Sequence, residues 1–436
     1  MSFISIKLEE IMAQKVEILD SIMGSNKTNR VLDWIDSNPN ERYLYISPLL
    51  SEVDNTSRLA TNLKHVSFEF PDTEEHDTKA DDLLSKLEIG ANISCTHSLY
   101  LSMSEKHLSL IEKYGYIVII DEEVGVIDAF RKYSVDDLHY LSNNGDITIS
   151  DEDGMITWVG AELGKKAKYK QFYNLCNAKA VYATKRSDTM LVTQMPVELF
   201  TRAKRVIIMT YMFEGNILDN FLKLKKVEVV PFTEVSPTHI DKQLIRELID
   251  LKPLDRKLLK VSMSGYGYEK MDKKGFDLIS NYIRSIGLSV GAKAVDTMYT
   301  FPKDVSPVEV KSGKRVAPRG FLTYKTELLD EDGNTVLDNK GKPKLQDNYC
   351  WLHYGCRATN KYAYKWYLAH CYDRHPNLSV ETYLKEYGCP IDKNVFALSE
   401  MLQWIWRSRI RKGEPIVLAI ASQRMYNLFI DWLNQE

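Results

Sequence analysis

DSIMGSNKTNRVL, residues 20–32, decides how the rest of the chain is read. A short apolar run ends at Asp20, a glycine-bearing turn follows, and Lys27 and Thr28 open a helical stretch with Val31, Leu32 and Ile35 on one face. That is the layout of a strand, a phosphate-binding loop and a helix. In such a loop the backbone N–H groups cradle phosphate, the lysine reaches the outer phosphate oxygens, and the hydroxyl beside it ligates magnesium. One residue is out of place. A glycine is expected just before the lysine, where the backbone turns sharply, and Asn26 stands there instead. Asparagine is the non-glycine residue best able to take a left-handed backbone, at a cost of roughly 1 kcal/mol, so the loop is weakened without being forbidden. The competing reading is a Gly-Ser turn that only caps a helix.

Outward from this loop, a turn at NPNE (38–41) leads into the strand RYLYIS (42–47). ISCTHSLY (93–100) and YIVIIDEEV (116–124) supply further apolar runs with polar ends, and AKRVIIMTYMFEGNIL (203–218) is again strand, polar tip and helix. Strands that alternate with helices imply a parallel sheet, whose ligands sit at the carboxyl ends of the strands. Asp121 and Glu122 fall at such an end, 94 residues after Lys27. A carboxylate at that tip holds the magnesium of a nucleotide, and the next one orients the attacking water. Acidic residues also end strands merely because they are solvated.

The later chain reads differently. Residues 225–260 are charged and irregular, which suits a linker or the start of a second domain. Residues 326–346 carry turn signals at Asp332-Gly333 and Lys340-Gly341 and read as a projecting β-hairpin. From 357 the pattern is helical through ATNKYAYKWYLAHCY, SVETYLKEYG and NVFALSEMLQWIWRSRIRKG, before a late strand PIVLAIAS and a last helix QRMYNLFIDWL.

Bulk composition bounds these readings. With 436 residues, 44% of them hydrophobic and 27% charged, the chain is expected to fold as two domains of a soluble protein. No apolar run reaches the ~18 residues of a membrane span, and acidic residues interrupt the N-terminus where a secretion signal would be apolar, so the cytoplasm is expected. Six cysteines are too sparse for a disulfide framework. Cys350, His353, Cys356, His370 and Cys371 lack the CxxC knuckle of a zinc site, and zinc is not expected. A net charge of -3 gives no global attraction to nucleic acid, but residues 302–325 and 405–412 are basic, as a phosphate-tracking groove would be.

Taken in order, these blocks resemble a superfamily 2 DEAD/DEAH-box type helicase of the bacteriophage-encoded kind. The matching stretches are DSIMGSNKT (motif I), YISPLLSEVDN (Ia), ISCTHSLYLSM, VIIDEEV (II, with Val124 in the box position), VIIMTYMFEGN (III), YGCRATNKYAYKWYLAH (V) and ALSEMLQWIWRSRIRKGEPI (VI). The resemblance covers nearly the whole chain and is thin only between about 225 and 300. It implies an α/β fold of two RecA-like (P-loop NTPase) domains in tandem, residues 1–222 and 223–436, with the β-hairpin inserted in the second.

Function and sites follow from the same resemblance. The chain would be an ATP hydrolase that moves along single-stranded or tailed nucleic acid, with DNA favoured over RNA but the choice not fixed by the sequence, in phage replication or recombination in the host cytoplasm, beside phage or host replication proteins. The cofactors would be ATP and Mg2+. Gly24, Ser25, Asn26, Lys27, Thr28, Asp121 and Gln403 would bind the nucleotide, with Thr28 and Asp121 on the metal. Lys27, Glu122, Arg407 and Arg411 would act in catalysis. Motif VI keeps Gln403 and Arg407 in register, but Trp406 replaces a glycine and the second arginine is displaced, so the arginine finger is open among Arg407, Arg409 and Arg411. Ser47, Thr96, His97, Arg357, Thr359 and Asn360 would contact the strand. Two other functions fit the same fold: a nucleic-acid-binding protein with impaired hydrolysis, and an ATPase that remodels a protein complex.

Overall fold

The computed structural model describes residues 15–48, 50–236, 241–310, 313–328, 330, 334–355 and 361–435. The chain divides into two compact units, Met1–Thr238 with Pro376–Val395, and His239–His375 with Phe396–Glu436.

The first unit is built on a six-stranded sheet. β1 (Lys15–Asp20), β2 (Arg42–Ser47), β3 (Ile93–Thr96) and β4 (Tyr116–Asp121) join the strands Arg205–Thr210 and Glu228–Pro231. Read across the sheet, the order is Glu228–Pro231, β1, Arg205–Thr210, β4, β2, β3, and every neighbouring pair is parallel. The composition explains the arrangement. Tyr116 to Ile120 are buried at every position, as a strand covered on both faces requires, and their aromatic and β-branched side chains suit a pleated surface. Helix α1 (Lys27–Asp36) lays Val31, Leu32 and Ile35 against this sheet among Leu19, Tyr43, Tyr45, Ile117 and Ile207. Each such burial contributes on the order of 1.5–3 kcal/mol.

Three features depart from expectation. The boundary expected at residue 222 comes too early, because Glu228–Pro231 hydrogen-bonds alongside β1 and completes the first sheet. Between β4 and Arg205–Thr210 the parallel pattern is interrupted by an antiparallel module. Its strands Ile127–Phe130, Ser187–Gln194 and Val181–Thr184 form a sheet in that order over a separate core that includes Leu138, Phe172 and Leu191. Gly154 at φ 74° fits here because a Cβ would sit 2.2 Å from the Ala183 carbonyl oxygen. The helix Leu378–Glu386, from far along the chain, packs on this module, where the Tyr383 hydroxyl donates to the Asp153 carbonyl at 2.7 Å.

The second unit carries a four-stranded parallel sheet in the order Ile249–Leu251, Ile416–Ile420, Tyr367–His370, Thr297–Thr300. Tyr367–His370 lies in the stretch expected to be helical. All four of its residues are buried and bonded on both sides, and such tertiary pairing overrides local preference. Helix Lys273–Ser289 covers the sheet through Phe276, Ile279, Tyr282 and Ile283. Thr323–Glu327 pairs antiparallel with Leu345–Tyr349, and the Asp338 carboxylate accepts from the amides of Lys340 and Lys342 at 2.7 and 2.9 Å around Gly341. Asp332 and Gly333 lie outside the described residues. Of the cysteine and histidine group, Cys350 donates its thiol to the Ala294 carbonyl, His370 and Cys371 are fully buried, and Cys356 is outside the described residues.

Candidate functional site

Because the strands of the first sheet run the same way, their carboxyl ends share one edge. Asp20 stands opposite Thr210, Met209 opposite Asp121, Ile46 opposite Ile120, and Ser47 opposite Thr96. The loop after β1 rises from this edge. Asn26 has φ 59° and ψ 20°, the left-handed conformation that the glycine of a phosphate loop supplies, and Gly24 precedes it at φ 79°. The Asn26 side chain does not cap α1. Its Oδ1 accepts instead from Asn29 Nδ2 at 2.7 Å, and no acidic residue occupies the first turn, so the partial positive charge of the helix start is not neutralised there. Asn29 in turn accepts from Arg58 Nη1 at 3.2 Å, while Glu52 holds the rest of that guanidinium at 2.8 to 3.2 Å.

Lys27 folds back over the strand ends, and its Nζ donates to the carbonyls of Ser21 and Thr210, both at 3.1 Å. Burial lowers its pKa, against the pull of Asp121, Glu122, Asp20 and Glu123, which face it electrostatically. Asp121 shows the converse. Burial, then the neighbouring Glu122, push its pKa up to about 6, while Lys27 and Arg58 oppose the rise. The Tyr45 hydroxyl donates to Asp121 Oδ2 at 3.3 Å, and His97 Nε2 donates to the Asp121 carbonyl at 2.8 Å. The Thr210 hydroxyl donates to Glu123 Oε1 at 3.1 Å.

Strained backbone gathers along this edge. Of five described non-glycine residues with positive φ, three belong here: Asn26, Glu122 at 64° and Met212 at 58°. Such conformations cost on the order of 1 kcal/mol each and persist where neighbours fix them. The Glu122 amide donates to the Met209 carbonyl at 3.0 Å. Asp20 fixes the other turn by accepting from the amides of Met212 and Phe213 at 2.9 and 3.0 Å.

The sequence-derived residues thus fall into groups. Gly24, Ser25, Asn26, Lys27 and Thr28 form the loop and helix start, and of these Lys27 faces Asp121 and Glu122 electrostatically. Ser47, Thr96 and His97 end neighbouring strands; Ser47 is buried, and Thr96 accepts from the Leu99 amide at 3.3 Å to cap the helix His97–Leu101. Gln403 and the arginines belong to the second unit. Gln403 is half-buried on helix Lys393–Ile405, Arg407 is only 5% exposed, Arg411 is exposed, and Arg409 stacks over Trp366 while donating to the Pro415 carbonyl. Trp406, in the glycine's place, is a core residue set at right angles to Trp432 with centroids 5.9 Å apart. Arg357, Thr359 and Asn360 lie outside the described residues. Asp20, Asn29, Tyr45, Arg58 and Glu123 were not singled out by sequence. Asp20 carried a signal, since it ends an apolar strand just as Asp121 does.

Residues 243–433 match the model of a family described as the YonV C-terminal Rossmann-like domain. Over 435 residues the chain is 29% identical to the SPbeta prophage-derived uncharacterized protein YonV of Bacillus subtilis (strain 168), an alignment covering 97% of this chain and 100% of that one. Among solved structures it is similar to XPD in its apo form, with a TM-score of 0.50, 12% identity and 95% of each chain covered. A structure of S. tokodaii Xpd4 gives a TM-score of 0.49 at 12% identity, covering 97% of this chain and 94% of the other. Identity this low speaks to fold alone, and the fold is mixed α/β with two RecA-like domains in tandem, as in XPD.

Proposed function

We propose that this chain is an ATP-dependent nucleic-acid helicase or translocase that serves phage DNA replication or recombination. One observation carries the reading. At one sheet edge Lys27 faces Asp121 and Glu122, beneath a loop whose Asn26 already holds a left-handed backbone. Support also comes from the likeness in fold to XPD, a helicase, and from the prophage origin of the 29%-identical relative.

The donor set fits a nucleotide with magnesium. The N–H groups at the start of α1 and the Lys27 ammonium would hold phosphate oxygens. Thr28 and Asp121 offer one hydroxyl and one carboxylate, which suits an ion that takes one or two carboxylates and completes its shell with phosphate and water. Bound there, the ion supplies charge neutralisation for phosphoryl transfer. Glu122 would orient the attacking water, and its strained backbone holds it at the end of β4 for that task. Lys27 waits on two carbonyls, weaker partners than a phosphate, so its ammonium is positioned before a nucleotide arrives. In the second unit, Gln403 and one of Arg407, Arg409 and Arg411 are assigned to hydrolysis. Ser47, Thr96 and His97, with Arg357, Thr359 and Asn360, are assigned to the strand.

The test is ATP turnover by the purified full chain with magnesium, with and without single-stranded DNA or RNA, followed by unwinding of a tailed duplex. Strand-stimulated turnover with unwinding is expected. No turnover under any condition would overturn the enzyme reading, and turnover without unwinding would favour an ATPase that remodels a complex.

A further inference from the structure

The basic stretch 302–325 and the antiparallel pair that follows it have no part in the site above. Together they border a cleft of about 320 Å³ within the second unit. Its lining is aromatic: Tyr324, Tyr349, Trp351 and Tyr362, with His353 and Asn348 beside them. Trp351 is fixed by an indole N–H donated to the Phe301 carbonyl at 3.2 Å and by edge contact with His353 at 5.9 Å between centroids. Tyr349 is 41% exposed, so part of this aromatic surface is open to solvent. We propose that the cleft is a nucleobase slot for a single strand of nucleic acid, a reading that rests on the helicase function and names where the strand is gripped.

Three observations favour a base over other flat ligands. First, cations border the lining: the exposed Lys325 follows the lining residue Tyr324 directly, and the exposed Lys361 directly precedes the lining residue Tyr362. A base enters flanked by phosphates, which such a rim attracts. Second, one face of the Tyr324 ring is covered by the Lys365 ammonium, 3.7 Å from the centroid. Lys365 is 1% exposed, and among the described residues its Nζ has no hydrogen-bond partner, so the ammonium rests on the aromatic faces of Tyr324 and Tyr364. Third, a polar group on the lining matches a base edge. The exposed Asp347 carboxylate would accept from an exocyclic amino group; Asn348, the next residue of the strand and so on its opposite face, holds its amide nitrogen on Thr326 Oγ1 at 2.8 Å.

The experiment uses the full chain and two DNA strands of equal length and charge, one carrying bases throughout and one abasic in its middle. Anisotropy titrations at fixed salt are expected to show the abasic strand binding about tenfold more weakly, the loss of roughly one stacked base. Tyr349→Ala and Trp351→Ala are each expected to narrow that gap while leaving the salt slope unchanged. Because Trp351→Ala removes a packed side chain, a second measurement uses the unaltered protein. A strand carrying 5-iododeoxyuridine is irradiated, and the crosslinks are expected at Tyr349, Trp351 or Tyr362. Equal affinity for both strands, or crosslinks confined elsewhere, would overturn the slot while strand-stimulated ATP turnover left the helicase reading standing. A protein that hydrolyses ATP but binds neither strand would overturn both.

Discussion

Replacing Asn26 tests whether the phosphate loop works because its backbone is left-handed. At φ 59° and ψ 20° the residue lies where an ordinary side chain pays about 1–2 kcal/mol, asparagine pays less and glycine pays nothing. Asn26→Gly removes that strain but loses the exposed 2.7 Å hydrogen bond to Asn29, worth about 0.5 kcal/mol, and adds freedom to the unfolded chain costing about 0.5–1 kcal/mol. The net is within about 1 kcal/mol of zero. Asn26→Ala loses the same bond and keeps a Cβ, for a cost of about 1–2 kcal/mol, and the β-branched Asn26→Val costs more. The cost has two places to appear. If the loop stays left-handed, the unfolding midpoint falls; if it relaxes, nucleotide must restore the conformation and affinity drops by about tenfold for each 1.4 kcal/mol. Unfolding midpoints and fluorescent-nucleotide titrations, measured together, should therefore rank glycine with asparagine, then alanine, then valine. Alanine and valine variants that match the wild type in both assays would show that the left-handed turn is not required, and the loop would revert to a helix-capping turn.

Glu122→Gln is expected to slow ATP turnover by about 10²- to 10⁴-fold, the range for loss of a positioned base, and Lys27→Ala to abolish it; near-normal turnover in either would refute the assignment. Asp20→Ala frees the amides of Met212 and Phe213 from a charged acceptor and should cost about 1–2 kcal/mol in denaturant unfolding. Arg411 is exposed, so Arg411→Ala should leave the unfolding midpoint unchanged, and a fall in turnover would identify it as the finger; the buried Arg407→Ala should lower both. Burial lowers the Lys365 pKa from 10.5 to about 8. The unfolded chain therefore holds this proton more tightly. The penalty is present in full below about pH 8 and fades as pH rises towards 10.5, so stability should climb across that window. Lys365→Met should remove the climb and stabilise the protein near pH 7 by up to about 3 kcal/mol, less the cation–π contact it forfeits.

Much of the first sheet was legible because buried parallel strands leave unbroken apolar runs, and because polar residues stand where those runs stop at the carboxyl edge of the sheet. Asp121, Glu122 and Lys27 could be brought to one sheet edge in this way, and the left-handed turn at Asn26 followed from the chemistry of asparagine. Other parts left no such trace. The antiparallel module between β4 and Arg205 is made of strands of three to eight residues with mixed faces, short enough to be lost among turns. Tyr367–His370 has only four residues, and its strand character comes from partners at Thr297 and Ile416 that are distant in sequence. Trp406 looked like damage to a motif, yet it fills the second core. The turn-holding role of Asp20 needed the position of Met212, which no local pattern supplies.

The return of Pro376–Val395 to the first unit has a consequence for biosynthesis. That unit cannot be completed when residue 238 leaves the ribosome; it needs a segment that ends 157 residues later, at 395. The module's last strand ends at Gln194 and the helix that carries Tyr383 at Glu386, 192 residues later, so at roughly 5–20 residues per second the nascent chain spends on the order of 10–40 s with the antiparallel module lacking that helix. The apolar surface that this helix later covers is open throughout that interval, so the module is where a chaperone would bind first and where a truncated product would aggregate.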